Sequence, residues 1–387
     1  MPIGLFFENR VHYNAIYPRL CYHISKNREG IIELAEALYD KSIASFWDGV
    51  GRSGKSALRG RRNFADGLQR QAYFAGSGLD PKPKKGDVYI PVSRSGRKEL
   101  ADRAKKAKKH GMKIAAITGD SENQLAKEAD IVINMPVSIP GESDLKQYFE
   151  DLVTNPSEKE TPQQKIPFQE LGAVFEFTAW ELIDALSFSF TRYRVKERFP
   201  FRMILEKIYN SVKYIGEVGY ALEEQKLKID NMITTILESP YDVCITGFGV
   251  SGESSTIAAI RTGHEIYERG KREAKVIDST NFPKIKKGEI LIPISGRGTS
   301  WFTNYVAKIF ADLGNQIFPL TYEPDSELVE LAGIDNTIVF PKGELYEFNE
   351  RYVIRDFDVG AIMVLDSIIL SLGRRESEME HSHSIFS

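Results

Sequence analysis

The stretch IASFWDGVGRSG (43–54) returns later in the chain as DVCITGFGVSG (242–252), and KKGDVYIPVS (84–93) returns as KKGEILIPIS (286–295). The pairings place Gly49 on Gly247 and Ser93 on Ser295. A third pair follows in the same order, KIAAITGDSENQLAKEADIVINMP (113–136) and QIFPLTYEPDSELVELAGIDNTIVFP (316–341), with Thr118 on Thr321 and Pro136 on Pro341. The offset between partners drifts slowly along the chain. Small loop insertions produce such a drift, whereas chance matches scatter. The chain is an internal duplication.

Within each repeat, short apolar runs alternate with amphipathic stretches. Asp87 to Val92, Lys113 to Thr118 and Asp130 to Asn134 are rich in β-branched residues and read as strands. KELADRAKKAKKHG (98–111) places its apolar residues on one face and stops at Gly111, as a helix does. The second repeat gives Ile290 to Ile294, a helix from Trp301 to Leu313 closed by Gly314, and a strand from Ile317 to Thr321. Strands alternating with helices imply an α/β fold, with a central parallel sheet between two helical layers in each repeat. The expected domains are 1–195 and 196–387. The polar insertion 137–167 has no counterpart in the second repeat; it reads as a surface excursion, either a lid or an idle loop. TRYRVKERFP (191–200) reads as a charged connector, and 201–239 as helices leading into the second repeat.

Bulk properties narrow the function classes. The length of 387 residues suits two domains, and 42% hydrophobic with 27% charged residues is ordinary globular composition. A net charge of −3 offers no field for nucleic acid or anionic membrane. Cys21 and Cys244 share no local metal motif and read as reduced thiols of a cytoplasmic protein. No signal peptide or membrane-spanning run is legible, and no metal is expected.

GVGRSG (49–54) and GFGVSG (247–252) each join a strand to a helix, through Gly49, Gly51 and Gly54 in the first and Gly247, Gly249 and Gly252 in the second. Such glycines allow a tight turn and close backbone approach, and the helix start presents free N–H groups to an anion. Taken literally, both match the G-x-G-x-x-G dinucleotide fingerprint, with Asp278 at a suitable distance after Gly252. Against a nicotinamide cofactor, Ser53 and Ser251 place a hydroxyl in the same slot of both loops. That reading also leaves a second loop unexplained, PVSRSGRK (91–98) and PISGRGTS (293–300). There a strand delivers small hydroxyl residues and a glycine into a helix start, suited to phosphate. A blander role for Ser93 and Ser295 is N-capping. Recurrence in both repeats favours anion binding.

The order GVGRSG, VSRSGRK, IAAIT, SENQLAKEAD resembles the sugar isomerase (SIS) domain family along nearly all of both halves. The resemblance implies three-layer αβα domains that isomerise or bind phosphosugars without a cofactor. It assigns phosphate binding to Ser93 and Ser95 with their loop, and to Ser295 and Ser300 in the second repeat. Lys98 and Arg297 stand where the family pattern has hydroxyls; with Arg52, Arg94 and Thr299 they add positive charge and a donor around the loops. A narrower likeness to 6-phospho-3-hexuloisomerases runs through ELGAVFEFTAWELIDALSF (170–188) and places that group's catalytic acid at Glu176. RDFDVGAIMVLDSIILSL (355–372) puts Asp358 in the same slot. The tail SEMEHSHSIFS (377–387) places that group's histidine at His383 and sets His381 where it has arginine.

Aldose–ketose isomerisation moves a proton between adjacent carbons through an enediolate, so it needs a carboxylate-like base and an acid at the carbonyl oxygen. Glu176 and His383 meet those needs chemically. Alternatively, Glu176 is an acid in a first helical turn that complements the dipole, and His383 an idle tail residue. Asp358 is one methylene shorter, so the first repeat is expected to be the better site. His12, His23, His110 and His264 carry no recognisable constellation. The leading expectation is a phosphosugar isomerase, then a non-catalytic sugar-phosphate sensor, then an NAD enzyme. The resemblance further implies a homodimer.

Overall fold

The computed structural model describes residues 20–75, 81–135, 173–192, 199–249, 272–343, 345–349 and 352–372, with 251, 252, 254–256, 258, 259 and 262. The insertion 137–167, His12, His264, His381 and His383 lie outside the described residues. The chain divides into two compact units, one drawn mainly from Ala15–Asn210, the other mainly from Ser211–Leu345 and Arg355–Ser387.

In the first unit, strands β1 (Ser45–Gly49), β2 (Ala72–Phe74), β3 (Val88–Ser93), β4 (Lys113–Thr118) and β5 (Ile131–Asn134) form one sheet in the order β2-β1-β3-β4-β5. Every pairing is parallel. Helices α1 (Arg28–Tyr39), α2 (Arg52–Arg62), α3 (Lys98–Lys109) and α4 (Gln124–Glu128) connect or flank these strands, followed by α5 (Ala173–Arg192). Parallel strands are covered on both faces, so β3 is buried along its whole length.

α6 (Phe201–Glu224) and α7 (Lys226–Glu238) lead to the second sheet. That sheet holds β6 (Val243–Gly247), β7 (Ala274–Ile277), β8 (Ile290–Ile294), β9 (Gln316–Ile317), β10 (Leu320–Thr321) and β11 (Ile338–Val339). Its order is β11-β10-β8-β6-β7, with β9 also on β8. Read from β7, this is the order of the first sheet again. α8 (Trp301–Asp312) and α9 (Glu327–Ala332) lie between its strands; α10 (Asp356–Leu372) follows the small β12 (Leu345–Asn349) and β13 (Tyr352–Arg355) pair.

The expected strand from Ile317 to Thr321 is broken at Phe318–Pro319 into β9 and β10. Pro319 has no N–H for the ladder, and its carbonyl instead accepts from Ile338 N–H at 2.9 Å. The first repeat has Ala116 there, and β4 runs unbroken.

Cys244 sits fully buried in β6, and burial, with Glu289 nearby, pushes its thiol up to about 12. At pH 8 only about one thiol in ten thousand is then thiolate. Iodoacetamide at pH 8 is expected to leave Cys244 unmodified in the folded protein and to label it after urea unfolding, as peptide mapping reads. Labelling of both states at equal rates would contradict that burial.

Candidate active site

In each sheet the chain turns one way from the first strand and the other way from the third. The strand order therefore reverses between β1 and β3, and between β6 and β8. Loops leaving the carboxyl ends of such strands diverge and open a crevice that ligands occupy. Register sets Gly49 beside Val92, and Gly247 beside Ile294. The glycine loop and the serine loop of each repeat, distant in sequence, thus flank one crevice.

Glycine is required at two kinds of position in the first loop. Gly51 and Gly249 adopt φ of +62° and +65°, the left-handed region, with open space where a Cβ would stand. Gly49 and Gly247 have ordinary φ but no room: a Cβ would lie 2.7 Å from the Ser53 carbonyl oxygen and 2.5 Å from that of Ser251. Gly54 is the other side of the same contact. It is buried in the first turn of α2, and a Cβ on it would lie 2.8 Å from the Gly49 carbonyl oxygen. What Gly54 permits is close packing of the helix on its own strand. Gly252 repeats this more loosely, with the Gly247 carbonyl oxygen 3.1 Å from its Cβ position. The turn is this tight because the helix after it starts directly over the end of the strand.

The hydroxyl of that turn points at a carboxylate. Ser53 Oγ donates to Glu176 Oε1 at 3.1 Å, and in the second repeat Ser251 Oγ donates to Asp358 Oδ1 at 2.8 Å. The Asp pairing survives the loss of a methylene. Arg52 Nε lies 3.8 Å from Glu176 Oε2. Glu176 is in the first turn of α5 and Asp358 in the first turn of α10, both nearly buried.

α5 is buried on every side from Val174 to Phe190, as befits a helix whose apolar residues go all the way round. Its carboxylates are paired. Below Glu176, Arg59 Nε and Nη2 grip both oxygens of Asp184 at 2.7 Å, and Asn63 Nδ2 donates to the same carboxylate at 2.7 Å. The guanidinium carbon also lies 4.8 Å from the centroid of the Trp180 ring. Ser53, Ser56, Arg59 and Asn63 follow helical spacing along α2 and the π-turn Asn63–Gly67 that continues it, facing Glu176, Trp180 and Asp184 on α5. Arg59, Asn63 and Asp184 were not among the expected site residues. The detectable signal was three acids, Glu176, Glu181 and Asp184, in a helix that is otherwise mostly apolar.

The serine loop is held by the threonine ending the next strand. Thr118 Oγ1 donates to the Arg94 carbonyl at 3.4 Å, and Thr321 Oγ1 donates to the equivalent Gly296 carbonyl at 2.8 Å. Gly96 and Gly298, with φ of +61° and +63°, bring their α-carbons against Asn123 and Ser326. Ser93 is buried, and its Oγ accepts from Arg97 N–H at 3.4 Å. The N-caps of α3 and α8 are Arg97 and Ser300, so Ser93 and Ser295 are not N-caps. Ser95, Lys98, Arg97, Arg297 and Thr299 are exposed, while Arg94 and Ser300 are half-buried. Ser300 Oγ accepts from Thr303 Oγ1 at 3.1 Å.

Other candidates are occupied locally. Asp278 Oδ1 accepts 2.7 Å bonds from Thr280 N–H, Thr280 Oγ1 and Asn281 N–H within its own turn. His23 Nδ1 lies 3.1 Å from the Asn134 carbonyl. Among the described residues no group of three His, Cys, Asp or Glu could hold a metal ion, and no helix is long and apolar enough to cross a membrane.

A doubly wound parallel sheet with a glycine loop and a serine loop at its switch point, repeated, defines the class. The SIS domain profile matches residues 46–141. An uncharacterized protein of Archaeoglobus fulgidus is 32% identical over 153 residues, 38% of this chain and 72% of that one. The chain belongs to the SIS-domain family. A 3-hexulose-6-phosphate isomerase of Bacillus subtilis is 39% identical over 114 residues, covering 27% of this chain and 59% of that enzyme. Among solved structures, tagatose-6-phosphate ketose/aldose isomerase from Escherichia coli superposes with TM-score 0.61 at 11% identity, covering 98% of this chain and 93% of that one. That likeness bears on the fold.

Proposed function

We propose that the protein is a phosphosugar isomerase of the hexulose-phosphate type, with the first repeat as its catalytic site. The observation that carries this reading is the Ser53–Glu176 pair, a nearly buried carboxylate oriented by the glycine-loop hydroxyl. The named isomerase relatives support the reaction class.

In this proposal the sugar phosphate seats its phosphate on Ser93, Ser95 and the backbone at the start of α3, with Arg52, Arg94 and Lys98 adding positive charge. Glu176 takes the proton from the carbon next to the carbonyl and returns it to the neighbouring carbon, through an enediolate. Ser53 holds the carboxylate in place during both transfers. His383, outside the described residues, is proposed as the acid at the carbonyl oxygen. The protein is proposed to act as a homodimer in the cytoplasm, with domains 1–195 and 196–387.

The second repeat keeps Ser295, Thr299, Ser300 and the Ser251–Asp358 pair. Its shorter acid withdraws the carboxylate from the position Glu176 offers, and it is proposed to bind ligand without turning over.

Incubation with 3-hexulose 6-phosphate, followed by detection of fructose 6-phosphate, tests the reaction. Absence of conversion in both directions, with phosphosugar binding intact, would favour a sensor. Ser93→Ala is expected to weaken sugar-phosphate binding by about 1.5–3 kcal/mol, the worth of one hydrogen bond to a charged group. Calorimetric titration with fructose 6-phosphate reads it. A change below two-fold removes Ser93 from the phosphate site.

A further inference from the structure

We propose that the crevice of the second repeat binds a nucleoside phosphate, with the phosphate on the Ser295–Ser300 loop and the base stacked on an exposed aromatic platform. The proposal goes beyond the isomerase reading and does not depend on it.

The platform is built around one buried ring. Phe302 is 5% exposed, and Phe248, Trp301 and Phe282 pack on it with ring centroids 6.1, 5.6 and 6.4 Å away. Tyr305 extends the group, 6.2 Å from Phe282. The outer four are 50%, 68%, 46% and 55% exposed for Phe248, Trp301, Phe282 and Tyr305. Isolated exposed aromatics are commonplace, but a contiguous group of four marks a surface that meets something apolar.

Its place in the fold says what that partner carries. Phe248 stands between Gly247 and Gly249 in the glycine loop, and Trp301 is the residue after Ser300 at the start of α8. The platform therefore borders both loops of the second crevice. On the loop side stand Ser295, the exposed Arg297 and Thr299, and the first turn of a 12-residue helix. Beneath Gly298 lies Ser326, 3% exposed, whose hydroxyl has no hydrogen-bond partner among the described residues. An anion-suited loop flanked by flat apolar rings fits a phosphate ester joined to a planar group. A planar base covers flat rings with its whole face, whereas a bare sugar phosphate presents hydroxyls that only the Trp301 indole N–H and the Tyr305 hydroxyl could meet.

The first repeat supplies the contrast. At the positions of Phe248, Trp301 and Tyr305 it carries Val50, Glu99 and Arg103. There Arg103 pairs with Glu99, and its Nη1 also reaches both oxygens of Asp48 at 3.0 and 3.1 Å. Where the first repeat spends these positions on an ion-pair network, the second presents rings. The glycine and serine loops persist in both, so the difference is confined to what lies beside the phosphate. Asp48 itself becomes Thr246, whose hydroxyl turns to the Ile277 carbonyl at 2.7 Å.

The full chain offers a local reporter, because Trp47 and Trp180 are 0% and 1% exposed while Trp301 is open. Titration with AMP is expected to quench Trp301 emission saturably, with Trp301→Leu abolishing the signal. By calorimetry AMP should bind roughly ten-fold or more tighter than ribose 5-phosphate, the effect of one base–aromatic stack. Adenosine and inorganic phosphate should each bind more weakly than AMP. Phe248→Ala and Arg297→Ala should each weaken AMP binding several-fold. Equal affinity for AMP and ribose 5-phosphate, or no AMP binding to the folded chain, overturns the proposal. So does Trp301 emission that follows protein concentration alongside self-association in sedimentation, since the rings then meet another copy of the chain. Hexulose-phosphate turnover is measured separately, so either reading can fail without the other.

Discussion

Glu176→Gln is expected to lower kcat for hexulose-phosphate isomerisation by about 10²–10⁴-fold, the usual contribution of a positioned general base. The substitution is isosteric, and the Gln carbonyl can still accept from Ser53 Oγ, which now lies 3.1 Å from Glu176 Oε1. Position is kept while basicity is removed. The loss should fall on kcat, with fructose 6-phosphate affinity by calorimetry changing only a few-fold. Thermal unfolding of the variant should stay close to that of the parent. A variant that unfolds cooperatively, binds phosphosugar and still turns over at the parent rate would assign the base elsewhere. Glu176→Asp makes the companion test, since it copies the Asp358 of the second repeat. Retained binding with a large kcat loss would explain why that repeat is proposed to be inactive.

Arg59→Met is expected to destabilise the protein by about 3–5 kcal/mol, the cost of leaving a buried charge without its partner. Arg59 and Asp184 have side chains 0% and 1% exposed, joined by two hydrogen bonds, so water cannot replace the guanidinium. Asn63 would remain as a single neutral donor to Asp184. The double variant Arg59→Met, Asp184→Leu removes both charges and should recover most of the loss, because a buried pair gains little over apolar residues of similar volume. Urea unfolding of the two single variants, the double variant and the parent measures the coupling. If Arg59→Met alone costs under about 1 kcal/mol, the pair is not the clamp between α2 and α5 that its geometry indicates. The pair also joins the two helices that carry Ser53 and Glu176, two turns away from them.

The two results separate roles that burial alone would merge. Glu176 and Asp184 share one helix, and each is held by a residue of α2 or its π-turn. The first stands in the first turn of the helix, against the glycine loop. The second is two turns deeper and sealed by Trp180. An activity loss without destabilisation at the first, and the reverse at the second, is the expected pattern.

The duplication and the parallel strands were legible from the chain alone, because both are local. Strands covered on two faces read as continuous apolar runs, and a repeated stretch reports itself in one dimension. The loops were legible for the same reason: a glycine forced into a left-handed turn, such as Gly51 or Gly249, leaves its mark at its own position. The break at Pro319 was missed, because the apolar run from Ile317 to Thr321 outweighed the missing donor in its middle. What each loop glycine is for was less legible, since only the folded turn shows Gly54 packed against Gly49. The pairs that form the site were not legible. Ser53 meets Glu176 across 123 residues, and Arg59 meets Asp184 across 125. Each of these side chains has several unexceptional local explanations. A serine after a glycine turn can cap or bind phosphate, and a glutamate in a first helical turn can answer the dipole. Only the packing of α2 on α5 decides which oxygen each donor reaches. The aromatic platform is the same case. Phe248, Phe282, Trp301 and Tyr305 would pass for core residues in sequence, and only the folded chain leaves them exposed. Local backbone geometry is written in neighbouring residues, whereas contacts between distant side chains exist only once the sheet and its covering helices have closed.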